Sequence, residues 1–138
     1  MEVRVRTVGL KELIRDLRRV DREIPRRLTT FMQPIGQQVA VSSRQKASSL
    51  GSVHAHVAPG IKGGATGGRA YVSLNPNQQP AILGAEFGGG RRKTTRQFPP
   101  WRGAGPRSGY MVLPTIWDQY DDISRDIEDA VFDLLETL

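Results

Sequence analysis

Two different hydrophobic periodicities follow one another in the first twenty residues. Residues 3–7 alternate apolar or uncharged side chains with charged ones, which predicts a short strand at the edge of a sheet. From Leu10 to Val20 the apolar side chains instead recur at helical spacing, while most other positions are charged. This pattern predicts an amphipathic helix with one side facing a core.

A second helix is predicted from about Pro25 to about Gln45. Proline suits the first turn of a helix, and the residue before it, Ile24, avoids helical angles. Apolar residues recur through the segment with the same helical spacing. Pro34 is predicted to kink the helix, because it has no N–H to donate to the carbonyl group of Thr30.

The middle of the chain contains short apolar segments separated by glycine-rich and polar turns. At 52–58 apolar side chains alternate with serine and histidine, which predicts a strand, and residues 69–74 are predicted to return as the second strand of a loose hairpin. The five glycines of 59–68 predict a flexible hairpin tip between them. Residues 81–87 form a short apolar segment that is either helical or extended.

The C-terminal part is predicted to contain a brief strand at 110–113 and one long final helix, amphipathic and acidic. Pro114 ends the strand, and Thr115 with Asp118 forms a capping pair for the helix. Two N-terminal helices, a small antiparallel sheet and a closing helix make an α+β fold. No repeat or linker divides residues 1–138, so a single domain is expected.

One segment has no place in this pattern. Residues 88–109, named the arm, contain six glycines, three prolines, six Lys or Arg, two aromatic residues and no acid. Loops longer than about 12–15 residues without secondary structure are usually functional or disordered. Because a purely solvated loop has little reason to contain Phe98 and Trp101, we expect a partner to order the arm.

Two functions fit the composition of the arm. Aromatic side chains interleaved with cations are typical of proteins that bind single-stranded nucleic acid, where bases stack on the rings and cations follow the phosphates. The prolines beside the aromatic residues instead favour an extended arm that docks apolar anchors on a neighbouring subunit, and we expect this second role. The cations available to DNA or to an acidic partner are Arg91, Arg92, Lys93, Arg96, Arg102 and Arg107.

The net charge of +6 is unevenly distributed along the chain. Residues 1–48 contain 11 basic and 5 acidic side chains, residues 49–117 contain 8 and 1, and residues 118–138 contain 1 and 8. Opposite charges on one chain allow the acidic last helix of one copy to meet the basic body of the next. The basic body is equally suited to DNA.

Catalytic and metal-binding groups are scarce. The absence of cysteine excludes disulfides and thiolate chemistry. His54 and His56 would share one face of the predicted strand but lack a third ligand, and Lys62 precedes its glycines rather than opening a helix as in a phosphate-binding loop. We predict a protein that is not an enzyme and has no metal, cofactor or small-molecule substrate. No apolar stretch approaches the roughly 18 residues that span a membrane, and no signal peptide is evident, so a soluble protein assembled in the cytosol is expected.

Three short motifs follow one another along the chain. They are Gly9-Leu10-x-x-Leu13 at the first helix, Ala81 with Glu86-Phe87-Gly88 before the arm, and Met111, Leu113 and Pro114 after it. In this order they resemble the neck and tail-completion family of long-tailed bacteriophages. The sequence departs from that family at Pro80, where the family has tyrosine, and in lacking the arginine that usually precedes the later proline.

The resemblance implies a structural virion protein, assembled in the host cytoplasm, that forms an oligomeric ring between the head connector and the tail tube and lets DNA pass. A tail terminator subunit is an alternative within the particle, and a small basic nucleic-acid-binding protein that uses the arm is an alternative outside it. The ring implies further copies of the chain, neighbouring connector and tail proteins, and non-specific contact with passing DNA as partners. The side chains expected at subunit or ring contacts are Phe87, Phe98, Trp101, Tyr110, Ile116, Ile123 and Ile127.

Overall fold

The computed structural model describes residues 2–4, 9–89, 98–103 and 108–138. Over these residues the chain has the predicted α+β class, with six α-helices and one antiparallel sheet. The helices are α1 (Leu10–Val20), α2 (Ile24–Leu50), α3 (Ser52–Val57), α4 (Ile82–Phe87), α5 (Val112–Asp118) and α6 (Tyr120–Glu136). The strands are β1 (Glu2–Arg4), β2 (Ile61–Thr66) and β3 (Arg69–Leu74), with a short 3-10 turn at Ala58–Gly60 before β2.

The three strands pair in the order β1-β3-β2, so β1 lies at an edge of the sheet as its sequence predicts. Strands β2 and β3 form a hairpin with Thr66 opposite Arg69. Gly67 and Gly68 make the turn with φ angles of 57° and 78°. A two-residue hairpin turn with positive φ at both positions suits glycine, and its twist matches that of the strands.

Helix α2 packs directly on β2 through glycine. A Cβ atom at Gly36 would collide with the backbone of Gly64, and a Cβ atom at Gly63 would collide with the carbonyl oxygen of Gly36. Only residues without a side chain allow two backbones to approach this closely. This contact explains why β2 contains glycine, which is unfavourable in strands. It also corrects the prediction for 59–68, most of which is a strand rather than a flexible tip.

The core surrounds α2, which packs against both the sheet and α6. Leu28 and Met32 of α2 are almost completely buried, as are Val72 of β3 and Leu134 of α6. Full burial of an aliphatic side chain of this size stabilises a fold by about 1.5–3 kcal/mol. Helix α2 is therefore the element that holds the sheet and the last helix together.

Residues 52–58 are not the predicted strand, because Ser52–Val57 is helix α3. His54 and Val57 are three residues apart and both buried, while His56 is exposed, as expected on a helix and not on a strand. Gly51, with φ 137°, turns the chain between α2 and α3. Helix α2 accordingly continues to Leu50, beyond its predicted end.

The predicted strand at 110–113 is also wrong, because α5 begins at Val112. Pro114 lies in the first turn of α5, where its missing N–H would have had no partner in the helix. Helices α5 and α6 are separate, and Gln119 lies between them with φ −106° and ψ 13°. Among the described helices none combines the length and the apolar character needed to cross a membrane.

Candidate functional site at the base of the arm

The side chain of Glu86 holds the start of α5. Glu86 is only 1% exposed. Its Oε2 accepts hydrogen bonds from the backbone N–H groups of Met111 at 3.0 Å and Val112 at 2.9 Å, and its Oε1 accepts one from Leu113 at 3.0 Å. A helix N-terminus leaves such N–H groups without partners in the helix, and the positive end of its dipole attracts a carboxylate. Glu86 therefore joins the end of α4 to the start of α5 across the arm.

Glycines at both ends of the arm permit this arrangement. Gly109 has φ 84°, and a Cβ atom there would lie 2.5 Å from Oε1 of Glu86. Gly88 has φ 92°, and a Cβ atom there would lie 2.7 Å from the backbone of Pro100 and Trp101. Each position needs glycine for two reasons, a left-handed backbone and a close neighbour.

The described parts of the arm fold back on this base. The N–H of Gly89 donates to the carbonyl oxygen of Pro99 at 2.9 Å, so the start of the arm is joined to the segment 98–103, the other described part of the arm before Ser108. The ring of Phe98 lies against Gly84 of α4, where a Cβ atom would be 2.7–2.8 Å from the ring carbons. The arm therefore packs on α4 through Phe98.

Tyr110 makes the second set of contacts at the base. Its hydroxyl donates to the carbonyl oxygen of Pro100 at 2.5 Å. The guanidinium carbon of Arg102 lies 3.7 Å from the centre of the Tyr110 ring, a cation–π geometry, and Nη1 of Arg102 donates to the carbonyl oxygen of Gly109 at 3.3 Å. These contacts hold Pro100 and Arg102 of the arm against Gly109 and Tyr110, which lead into α5.

The predicted aromatic contacts divide into two groups. Phe87 packs against the core, Phe98 packs on α4, and Tyr110 is buried, so all three are engaged within their own chain. Trp101 is 47% exposed. Of the two aromatic residues in the arm, Trp101 is the one that offers a large apolar surface to a partner.

The isoleucines predicted as subunit contacts belong to the core instead. Ile116, Ile123 and Ile127 are 8%, 3% and 1% exposed. Their spacing places them on the side of α5 and α6 that faces the rest of the chain, so they stabilise the subunit and do not reach its surface. The large apolar side chains that these helices do expose are Trp117, Tyr120, Phe132 and Leu135, with Leu138 beyond the end of α6.

Of the six cations predicted in the arm, Arg102 lies in the described part and is exposed apart from its contacts with Tyr110 and Gly109. The predicted contacts of the arm with DNA or an acidic partner therefore rest on Arg102 and on residues that lie outside the described part. Those residues are Arg91, Arg92, Lys93, Arg96 and Arg107.

A strongly basic groove that was not predicted from the sequence lies between α1, the start of α2 and the β2–β3 turn. Its charged lining residues are Glu12 and six cations. The six cations define what we name the basic groove: Lys11, Arg15, Arg18, Arg22, Arg26 and Arg69. Lys11, Arg15 and Arg18 are spaced four and three residues apart, a signal that the sequence does contain. Only the fold brings Arg69 to them. Among the described residues, Arg26 alone of this set forms a salt bridge, a solvent-exposed one with Glu23 at 3.7 Å.

Helix α6 has the opposite charge. Its seven carboxylates are all exposed, and its one cation is Arg125. Four of the carboxylates follow one side of the helix at spacings of four, three and four residues: Asp122, Asp126, Asp129 and Asp133, named the acidic stripe. Among the described residues, one member of the stripe forms a salt bridge: Asp122 lies 3.7 Å from Arg125, and both side chains are exposed to solvent.

The two histidines do not face the same way. Because successive residues of a helix are about 100° apart, positions two apart in α3 point in nearly opposite directions. The buried His54 donates from Nε2 to the carbonyl oxygen of Ala85 at 2.9 Å, and its ring centre is 5.8 Å from that of Tyr110. Within the described ranges no three His, Asp or Glu side chains are placed to share a metal ion.

Comparisons of the chain with protein-family models, with curated proteins and with solved structures give no significant match.

Proposed function

We propose that this chain is the subunit of a homo-oligomeric ring in the neck or at the top of the tail of a long-tailed bacteriophage. The ring joins the head connector to the tail tube and lets DNA pass. The role is structural and belongs to the virion, with no catalysis, cofactor or small-molecule substrate. The partners are further copies of the chain and the connector and tail proteins next to the ring.

The observation that carries this proposal is the contact of Glu86 with the start of α5. The resemblance to neck and tail-completion proteins rests largely on the segment Glu86-Phe87-Gly88 before the arm and on Leu113-Pro114 after it. Glu86 accepts a hydrogen bond from Leu113, so one carboxylate joins both segments. The arm is thus closed at its base, and a partner that binds it does not have to order its two ends.

The exposed Trp101 gives the arm an anchor for such a partner. Large aromatic side chains near the centre of an interface contribute most of its binding energy. Pro99 and Pro100 restrict the backbone before Trp101, which lowers the entropy lost on docking. Arg102, held on Tyr110, adds a positive charge beside the anchor.

The proposal is tested by electron microscopy and native mass spectrometry of the purified protein, alone and with the connector and tail tube of the same particle. We expect closed rings, either alone or on the end of a connector or a tail tube. A protein that stays monomeric over the accessible concentration range and binds neither partner would contradict the proposal. A ring found on isolated tails and not on connectors would assign the chain as a tail terminator subunit.

The basic groove favours a second candidate, a nucleic-acid-binding protein. Phosphate contacts release counterions, so affinity for DNA that depends on six cations would fall steeply between low and moderate salt. The discriminating measurement is DNA affinity as a function of salt, for the wild type and for a variant with Arg15 and Arg18 replaced by Ala. Tight binding with a salt slope that decreases in the variant would favour this candidate over the ring.

A further inference from the structure

We infer that the basic groove of one subunit binds the acidic stripe of α6 on a second copy of this chain. The inference names the interface of the proposed ring and rests on that proposed function. The occupant is supplied by the molecule itself, because the chain carries two exposed surfaces of opposite charge and similar size.

The spacing of the two charged sets is the same. Lys11, Arg15 and Arg18 are separated by four and three residues on α1, and Asp122, Asp126 and Asp129 by four and three on α6. Arg22 and Asp133 each follow after four more residues, and Arg22 lines the same groove although α1 has ended. With a rise of about 1.5 Å per residue, the three cations on α1 and the first three carboxylates of the stripe each extend for roughly 10 Å, so each of these cations has a carboxylate within reach when the two helices lie side by side.

Contacts within one subunit leave these charges largely unpaired. In the described ranges no salt bridge joins the basic groove to α6. The salt bridges there that involve a member of either set, Arg26 with Glu23 and Arg125 with Asp122, are exposed. Exposed pairs of this kind contribute little to stability, about 0–1 kcal/mol. The like charges within each set repel one another, and contact with a second copy relieves the repulsion in both sets at once.

A second copy of the chain explains both charged surfaces, whereas DNA explains one of them. DNA would explain the basic groove alone, and it would be repelled by the seven carboxylates of α6. A contact between two different surfaces is also heterologous, and a heterologous contact is the kind that builds a ring when the rotation between successive copies closes.

The test is charge reversal, with each variant matched by a control of equal charge. The groove variant is Arg15→Glu with Arg18→Glu, and its control is Arg19→Glu with Lys62→Glu, two exposed cations that do not line the groove. The stripe variant is Asp126→Lys with Asp129→Lys, and its control is Asp121→Lys with Glu128→Lys, exposed carboxylates outside the stripe. All eight positions are exposed, so circular dichroism and thermal melting are expected to match the wild type.

Self-association is measured by sedimentation velocity at about 50 mM and about 500 mM salt, where the screening length falls from roughly 14 Å to roughly 4 Å. We expect the groove and stripe variants each to raise the Kd of self-association at least about tenfold, because like charges then face each other. The controls should stay near the wild type, and a chain carrying all four reversals of the two test variants should associate again.

Three results would overturn the inference in different ways. If the wild type forms rings that neither variant weakens, the interface is wrong and the proposed ring stands. If the wild type is monomeric at both salt concentrations and forms no ring on connectors or tail tubes, the interface and the proposed function both fail. If the groove variant loses affinity for a DNA duplex while self-association is unchanged, the groove binds nucleic acid instead.

Discussion

The carboxylate of Glu86 caps the helix that begins at Val112, with 2.9 Å between Oε2 and the backbone nitrogen of Val112. The two residues are separated by the whole arm, so this contact holds the two ends of the arm together. Three N–H groups at the start of α5 depend on the same carboxylate.

Replacement of Glu86 by Ala is expected to destabilise the protein by about 2–3 kcal/mol, since it removes a helix cap and leaves buried N–H groups without partners. Replacement by Gln keeps one acceptor oxygen and is expected to cost about 1 kcal/mol. Urea unfolding measures both. The control is Glu128→Gln on the exposed face of α6, which should change stability by less than about 0.5 kcal/mol. Equal effects at positions 86 and 128 would contradict the capping role.

Replacement of Gly63 by Ala tests the backbone contact between α2 and β2. The new Cβ would collide with Gly36, so we expect a loss of at least about 3 kcal/mol, at the upper end of what overpacking of a core costs. Gly67→Ala is the matched variant, because the space that a Cβ atom would occupy at Gly67 has no neighbour within 4 Å and the position requires only a positive φ. That strain is expected to cost about 1–2 kcal/mol. Thermal melting compares the two, and a smaller effect at Gly63 than at Gly67 would show that the helix and strand are not in direct contact.

Replacement of Tyr110 by Phe removes the hydrogen bond to the carbonyl oxygen of Pro100 and is expected to cost about 1 kcal/mol. The loss is local to the arm, so the N–H of Gly89, which donates to Pro99, should exchange with solvent faster. Hydrogen exchange detected by mass spectrometry reports this change. Tyr120→Phe, at an exposed tyrosine for which the described residues show ring stacking with Trp117 and no hydroxyl hydrogen bond, is the control and should leave exchange at Gly89 unchanged.

Replacement of Trp101 by Ala is expected to weaken binding of the arm to its partner by about 2 kcal/mol or more, roughly a thirtyfold rise in Kd, while folding is unaffected. Trp117 is the matched control, since it is also 47% exposed but belongs to α5 and not to the arm. Binding of each variant to the purified connector and tail tube is measured by interferometry. If Trp117→Ala weakens binding and Trp101→Ala does not, the arm is not the anchor.

The sequence predicts the elements whose signal is local. The extent of α1 and a start of α2 near Pro25 follow from helical periodicity and proline chemistry, although Ile24, expected to avoid helical angles, is the first residue of α2. Residues 52–58 are too few for periodicity to separate a strand from a helix, and β2 is hidden by glycines that α2 requires for close contact. Glu86 belongs to a visible motif, but its role depends on N–H groups 25 or more positions away in the chain. The basic groove combines a visible spacing on α1 with Arg69, which only the fold brings to it.

The joining of heads to tails tests the central proposal most directly. Extracts of cells infected by a phage that lacks this protein are mixed with the purified protein, and joined particles are counted by electron microscopy and by infectivity. We expect heads and tails to accumulate separately in the extract and to join when the wild-type protein is added. Heads and tails that join without the protein, or that stay apart when the folded wild-type protein is present, would contradict it.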